Sequence, residues 1–229
     1  MSESKVHDEV SLFIREAGLR VRTTVIVIAH ATTLYRKFFS IYSQENYDVY
    51  TVAVACLYLS GKVCEESVRL RDVINVSYKI LHPDKEALQL DDTYWKLRES
   101  VTKMELQVLR AIEYEVDVDL PHNYLLYFAK SLLSWLPPGV VSRVPLVKTA
   151  WSLLQDSYVT DICMKYPSQH IAVSLFYASL CVHGIHVPLN ESAKVEWWSA
   201  LCEDITMNDI KTIIRKVFRA YGRESPCLN

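Results

Sequence analysis

Few residues in this sequence combine the types and the spacing that a catalytic or metal-binding site requires. Cys181, His183 and His186 come closest to a set of metal ligands, but they supply three ligands where a structural zinc site uses four, so we interpret them as a buried thiol and loop histidines. Cys64 stands beside Glu65, and no sequence neighbour would lower the pKa of its thiol. No serine lies in the Gly-x-Ser-x-Gly pattern of a nucleophile elbow. The sequence therefore predicts no catalytic group, no metal and no cofactor.

Glycine is scarce, with only 5 among 229 residues. Phosphate-binding loops and dinucleotide fingerprints place several glycines within a few positions, because the backbone must approach the ligand closely. Here the glycines stand far apart. This spacing excludes a glycine-rich nucleotide loop and leaves few left-handed turn positions for a protein built of β-hairpins.

Two charged residues stand where an apolar residue is expected. Lys62 ends the apolar segment Val49–Val63, and Glu105 lies on the apolar stripe of the segment Thr93–Tyr114. Each alone has an ordinary explanation, a lysine whose aliphatic stem is buried and a glutamate at the edge of a helix. If the two meet at the surface of a helical bundle, they are able to form charge-assisted hydrogen bonds with exposed backbone groups of a docked helix.

The elements that would position these residues are helices separated by prolines. Val49–Val63 is apolar on nearly every side, which is typical of a helix surrounded by other helices. Long amphipathic patterns fill the intervals between the prolines. The predicted helices are Val25–Phe39, Val49–Val63, Arg69–Ile80, Thr93–Tyr114, His122–Trp135, Val144–Val159, Ile171–Cys181, Ser192–Leu201 and Met207–Tyr221.

The segment Ile112–Leu120 separates two halves of similar layout. Its apolar and acidic residues alternate, which taken alone predicts a half-buried strand. A lone strand has nothing to pair with, so we interpret the segment as an extended connector whose apolar side chains pack against the helices. The sequence therefore predicts two bundles of about five helices each, residues 7–119 and 120–223, related by structure rather than by residue identity.

The last predicted helix has a basic face. Such a helix either binds an acidic partner or forms the last core helix of a bundle with its basic residues in water, and we favour the second interpretation.

Net charge and cysteine usage limit the classes of partner and compartment. The formal net charge is −2 and the pI is about 6.4, so the chain as a whole has no strong attraction for nucleic acid or for an anionic membrane. The six cysteines include no CxxC pair, and no secretory signal is recognisable. We expect a soluble intracellular protein of the nucleus or the cytoplasm.

Several ordered motifs resemble one family. The run AVACLYLSGKVCEESVRLRDVI, Ala53–Ile74, resembles the cyclin box, and the resemblance continues through KMELQVLRAIEYEVDVDLPHNYL, Lys103–Leu125. In the second half, AWSLLQDSYVTDICMKYPSQHIAVSLFYASL and EWWSALCEDIT are similar to the second box of the transcription-type cyclins T, K and L.

The resemblance implies an all-α fold of two tandem cyclin-box five-helix bundles and a regulator that binds and activates a cyclin-dependent serine/threonine kinase. In the family, the residues matching Lys62 and Glu105 contact the regulatory helix of the kinase, Glu65 matches a further acidic contact, and Tyr114 matches an aromatic one. The cyclin supplies no catalytic group. The compact length is most like that of the member that partners cyclin-dependent kinase 10, which makes this kinase the first candidate partner in a heterodimer.

The sequence also departs from the family and leaves alternatives open. Ser11–Val21 reads SLFIREAGLRV, without the MRAIL motif by which cell-cycle cyclins dock RxL substrates. Gly61, directly before Lys62, is expected to leave room for a kinase helix. A nucleic-acid-binding adaptor similar to general transcription factor IIB remains an alternative and predicts a basic stripe with salt-dependent DNA affinity. A helical enzyme is a weaker third possibility.

Overall fold

The computed structural model describes residues 3–136, 144–187 and 196–222, and these residues form α-helices and turns without a β-strand. The prediction of an all-α protein is confirmed. The internal contacts divide the chain into two compact units, Met1–Val118 and Asp119–Asn229.

The first unit contains five helices around one central helix. In chain order they are α1 (Glu3–Val21), α2 (Val25–Ile41), α3 (Val49–Val63), α4 (Leu70–Leu81) and α5 (Asp92–Ala111). The bounds of α3 are those that the sequence predicts, and α3 packs against α1, α2, α4 and α5. Since residues from Val52 to Gly61 are buried on nearly every side of this helix, its all-round apolar character is explained by its central position.

Side-chain caps determine where three of these helices begin. The side chains of Thr24, Asp48 and Asp91 accept hydrogen bonds from backbone N–H groups three residues later, at the starts of α2, α3 and α5. Each cap satisfies one of the N–H groups that a helix leaves without an internal partner at its N-terminus. The short polar residues before each apolar run therefore fix the register in which the helices present their buried faces.

The segment after α5 is a connector and not a strand, as the sequence predicts. Helix α5 ends at Ala111, three residues before the predicted end. Val116 and Val118 are partly buried against the core of the first unit, while the acidic residues between and after them are exposed. The alternation that resembles a strand thus comes from an extended segment with one face on the bundle.

The second unit has six described helices, of which α9 is the most buried. They are α6 (Pro121–Trp135), α7 (Leu146–Ser157), α8 (Ile162–Lys165), α9 (Ser168–Val182), α10 (Trp197–Leu201) and α11 (Met207–Ala220). Helix α9 packs against α6, α7 and α11. The sequence does not predict the short α8, and residues 192–195 of the predicted helix Ser192–Leu201 lie outside the described residues.

The last helix is a core helix, as we interpret it from the sequence. Its apolar residues Ile210, Ile213, Ile214 and Val217 are completely buried. On its basic face, Lys216 Nζ donates a hydrogen bond of 3.1 Å to Asp161.

In the part of the chain that the structure describes, none of the helices has the length and apolar character needed to cross a membrane.

Candidate partner-binding site

Lys62 and Glu105 form an ion pair at the surface of the first unit. Lys62 Nζ donates to Glu105 Oε1 at 2.5 Å, which joins the last turn of α3 to α5. The Glu105 side chain is only 11% exposed, whereas that of Lys62 is 48% exposed. The structure therefore brings together the two charged residues that the sequence places on apolar faces.

The aromatic ring of Tyr58 also contacts the Lys62 ammonium group. Lys62 Nζ lies 4.2 Å from the centroid of this ring, one helical turn earlier in α3. A cation above an aromatic face is attracted by the negative charge density of the ring. Because an ammonium group has three donors and Glu105 takes one, the lysine is held in place while its half-exposed side chain keeps donors available to a docked partner.

Helix α3 ends in a backbone conformation that usually requires glycine. Glu65 has φ of 57°, and the Glu66 N–H donates to the Gly61 carbonyl at 2.8 Å while the Glu65 N–H donates to the Lys62 carbonyl at 3.2 Å. These two bonds form a Schellman motif, whose left-handed position glycine fills at no steric cost. Glu65 is exposed there, so α3 ends with an acidic side chain three residues after Lys62.

Helix α5 ends in the same motif. The Tyr114 N–H donates to the Leu109 carbonyl at 2.8 Å and the Glu113 N–H to the Arg110 carbonyl at 3.2 Å. Glu113 and Tyr114 have φ of 54° and 63°, and the Tyr114 side chain is 60% exposed. Since non-glycine residues in this region are strained, and strain of this kind clusters at functional sites, the ends of α3 and α5 are both candidates for a binding surface.

Of the four residues that the sequence singles out, Lys62 and Glu105 lie on α3 and α5, which pack against each other, and Glu65 and Tyr114 lie just beyond the C-terminal ends of these helices. Lys62 and Glu105 are in direct contact. Glu65 and Tyr114 are exposed near the C-terminal ends of the same helices, where their backbone N–H groups complete the helix ends.

A buried histidine that sequence reasoning missed holds the segment after α5 in place. In His30, Nδ1 lies 2.8 Å from Ser60 Oγ and Nε2 lies 2.8 Å from the Val116 carbonyl oxygen. Burial lowers the pKa of His30, which favours the neutral form of its imidazole. A carbonyl only accepts, so we assign the hydrogen to Nε2 and let the Ser60 hydroxyl donate to Nδ1. His30 thus connects α2, α3 and the connector, and its place on an apolar helix face is the sole signal of it in the sequence.

The expectation that Gly61 leaves room for a partner helix is wrong. Gly61 is buried, and a Cβ atom built on it would lie 2.6 Å from Cγ2 of Val68 in the loop that follows α3. A contact this short is a steric clash. The space beside Gly61 is filled by the chain's own loop, which lets this loop fold back against α3.

The surroundings of the other candidate residues, Cys64 and His183, favour a structural role. Burial and the neighbouring carboxylate of Glu66 raise the pKa of the Cys64 thiol, which disfavours the reactive thiolate. His183 Nε2 lies 2.8 Å from Thr149 Oγ1. Within residues 3–136, 144–187 and 196–222, no group of three or more His, Cys, Asp or Glu residues is placed to hold a metal ion.

Comparisons with known proteins point to one family. The family model described as the N-terminal domain of cyclins matches residues 3–117. Cyclin-K of Danio rerio is 25% identical over 225 residues, which cover 97% of this chain and 51% of that protein. Cyclin-L2 of Mus musculus is 28% identical over 215 residues, covering 92% of this chain and 39% of that protein. The chain thus spans about half the length of these relatives.

A third relative and two solved structures are similar over most of this chain. Cyclin pch1 of Schizosaccharomyces pombe is 27% identical over 217 residues, covering 93% of this chain and 60% of that protein. A chain of the yeast RNA Pol II CTD kinase CTDK-1 complex has a TM-score of 0.72 at 16% identity, with 95% of this chain and 66% of that one covered. A chain of the Chaetomium thermophilum CAK complex bound to ATP-gamma-S has a TM-score of 0.65 at 14% identity, covering 93% and 62%. At these identities the structural likeness concerns the fold.

Proposed function

Because this chain belongs to the cyclin family, we propose that it is a non-catalytic regulatory subunit that binds and activates a cyclin-dependent serine/threonine kinase. The observation that carries the proposal is the ion pair between Lys62 and Glu105, which fixes the ammonium group of a half-exposed lysine side chain on the surface of the first unit.

The proposed contact is with the regulatory helix of the kinase. The free donors of Lys62 bond backbone carbonyls of that helix, and Glu105 holds the lysine in position. Charge-assisted bonds of this kind are stronger than neutral ones. Glu65 adds an acidic contact at the end of α3, and Tyr114 adds apolar area with a polar hydroxyl group. The strained backbone at Glu65 and at Tyr114 supports these two assignments.

Activation follows from where this docking places the kinase helix. A protein kinase is active when a glutamate on its regulatory helix pairs with the lysine that binds the ATP phosphates. A bound cyclin stabilises the inward position of the helix and shifts the kinase towards its active state. In this mechanism the chain described here contributes a surface and no reacting group.

We also propose which member of the family this chain resembles most and which kinase it binds. With its compact length the whole chain looks most like cyclin Q, so cyclin-dependent kinase 10 is the first candidate partner, in a heterodimer. The transcription-type relatives support a place in the nucleus.

The experiment that tests the proposal is affinity purification of the full chain from cells, with identification of the co-purifying kinase and an assay of its activity with and without added protein. We expect one cyclin-dependent kinase at a near-equal molar ratio and activity that depends on the added chain. Purification without any such kinase would contradict the proposal.

A second measurement distinguishes the proposed kinase regulator from a nucleic-acid-binding adaptor, which the sequence leaves open as an alternative. It requires a basic stripe that binds phosphates. On the basic face of α11, Lys216 is already bonded to Asp161. We therefore expect no salt-dependent binding when the purified protein is titrated with duplex DNA at low ionic strength.

A further inference from the structure

A cavity of about 330 Å³, partly open to solvent, lies between α3, α4 and α5 of the first unit. Its apolar wall is formed by Val54, Ile74, Leu81, Leu97 and Val101 from the three helices. The cavity lies along the N-terminal halves of α3 and α5, whereas Lys62 and Glu105 lie in their C-terminal halves. It is therefore a different feature from the partner-binding site.

The cavity contains one polar group that the fold itself leaves without a partner. Ser77 of α4 is 3% exposed and lines the cavity, and its buried Oγ makes no hydrogen bond. The other buried serines and threonines in the described residues all form a hydrogen bond through their hydroxyl groups. Four of them donate to the carbonyl four residues earlier in their own helix: Ser11, Thr32, Thr33 and Ser174.

The exception at Ser77 has a cost. A buried hydroxyl without a partner loses its hydrogen bonds to water and gains nothing in return. A helical serine can avoid this by bonding to its own backbone, yet Ser77 does not. Its hydroxyl is placed where an occupant of the cavity would supply the missing bond.

Aromatic side chains form part of the cavity lining. They are Tyr50, Tyr78 and His82, and the rings of Tyr78 and His82 meet edge to face at 4.7 Å. An aromatic lining favours a planar aromatic ligand, because ring edges are positive and ring faces negative, so that rings attract one another in stacked or edge-to-face contacts. Lys85 Nζ lies 5.8 Å from the Tyr78 ring, and the Asp48 carboxylate is engaged by the backbone N–H and the hydroxyl of Thr51.

The volume limits the size of the occupant. An apolar cavity of about 150 Å³ holds benzene, so a cavity about twice as large has room for two fused rings. It is too small for a helix or an extended segment of several residues. We propose that this cavity binds a free, planar, two-ring aromatic molecule with one N–H or O–H group that forms a hydrogen bond with Ser77 Oγ.

The test uses two probes of equal shape, indole and its carbon isostere indene, titrated into the full chain and followed by NMR of the methyl groups of Ile74 and Leu81. We expect indole to bind about three- to tenfold more tightly than indene, because indene cannot form the hydrogen bond with Ser77. In Ser77→Ala the affinity for indole falls to that for indene, whose own affinity does not change.

Two further variants control for indirect effects. Leu97→Trp fills the cavity and abolishes binding of both probes, while Ser40→Ala, a change at an exposed serine on α2, alters neither affinity. Equal affinity for the two probes in the unmodified chain would overturn the proposal, and so would binding that shifts no methyl group of the cavity wall. Should Leu97→Trp fail to fold, the methyl shifts and Ser77→Ala decide the question alone.

Discussion

Lys62 Nζ and Glu105 Oε1 lie 2.5 Å apart, although their residues are separated by 43 positions in the sequence. The pair is not explained by stability, since ion pairs with an exposed partner contribute about 0–1 kcal/mol. It also buries a carboxylate on a helix face that is otherwise apolar. A role in recognition accounts for both features, because the pair fixes a cation at a surface between two packed helices.

A glycine substitution at the strained position that ends α3 distinguishes two roles of Glu65, a contact with the kinase and a structural role in the fold. Glycine at this left-handed position removes the backbone strain, which stabilises the fold. A glycine also loses more conformational entropy on folding than a glutamate, which offsets part of this gain. We therefore expect Glu65→Gly to stabilise the fold by about 0.5 kcal/mol. If the side chain contacts the kinase, the same variant binds kinase several-fold more weakly. Thermal unfolding and a binding titration measure the two effects.

Arg22→Gly is the matched control, because Arg22 occupies the equivalent left-handed position at the end of α1, which the proposed contact does not include. It should show the same gain in stability with unchanged kinase binding. Equal kinase binding by both variants would remove Glu65 from the proposed contact.

The hydrogen bonds of His30 with Ser60 and Val116 predict that a substitution of His30 loosens the connector more than the rest of the first unit. His30→Phe leaves the Ser60 hydroxyl and the Val116 carbonyl without their partner, so we expect a loss of roughly 2 kcal/mol in the free energy of unfolding. Amide hydrogen exchange in residues 112–118 should accelerate more than in the rest of the first unit. Ser60→Ala, which removes only one of the two bonds, should leave exchange in the connector nearly unchanged. Uniform acceleration across the unit would argue against a local tether.

The contact of Gly61 with Val68 predicts a clash that a second change relieves. Gly61→Ala should cost about 1–3 kcal/mol in the free energy of unfolding, as overpacking in a filled interior does. In the background of Val68→Gly the same change should cost much less, because the Val68 Cγ2 and Cβ atoms that lie 2.6 and 2.9 Å from the new Cβ are both gone. A double-mutant cycle from denaturant unfolding measures this coupling. Additive costs would show that Val68 is not the obstacle.

Burial of His122 predicts a loss of stability in acid. Burial lowers its pKa from 6.5 to about 4, and its ring lies against Trp151 and Tyr158. Below pH 6.5 the unfolded chain takes up a proton that the folded chain refuses, so stability is present above this pH and is lost as the pH falls towards 4. The shift corresponds to about 3 kcal/mol, and His30 contributes in the same direction.

Denaturant unfolding between pH 7 and pH 4 tests whether His122 causes the predicted loss of stability in acid. His122→Leu should have a flatter dependence of stability on pH than the unmodified chain. An identical slope in the two proteins would mean that another group causes the loss.

The sequence predicts the helical elements well where one physical signal dominates. The bounds of α3 follow from an unbroken apolar run, and the connector is correctly separated from a strand because a lone strand has no partner. The end of α5 is predicted three residues late, because Ile112 continues the apolar stripe and no glycine marks the left-handed turn that Glu113 and Tyr114 adopt.

The site was less accessible to sequence reasoning. Lys62 and Glu105 stand out as charges on apolar faces, but the role of Gly61 was misread because Val68 approaches it through a loop that no periodicity describes. The partner of His30 in the connector lies 86 positions away. Long-range contacts of this kind depend on the packing of the whole bundle and leave no local pattern.

The central claim is that the paired charges of Lys62 and Glu105 bind the kinase. The most direct test is the binding of purified kinase to the unmodified chain, to Lys62→Glu, and to the double variant Lys62→Glu with Glu105→Lys, each shown to be folded by its thermal transition. The double variant retains an ion pair of opposite order, so its fold should survive, and we expect its affinity for the kinase to fall at least tenfold. A well-folded double variant that binds the kinase as tightly as the unmodified chain would contradict the account.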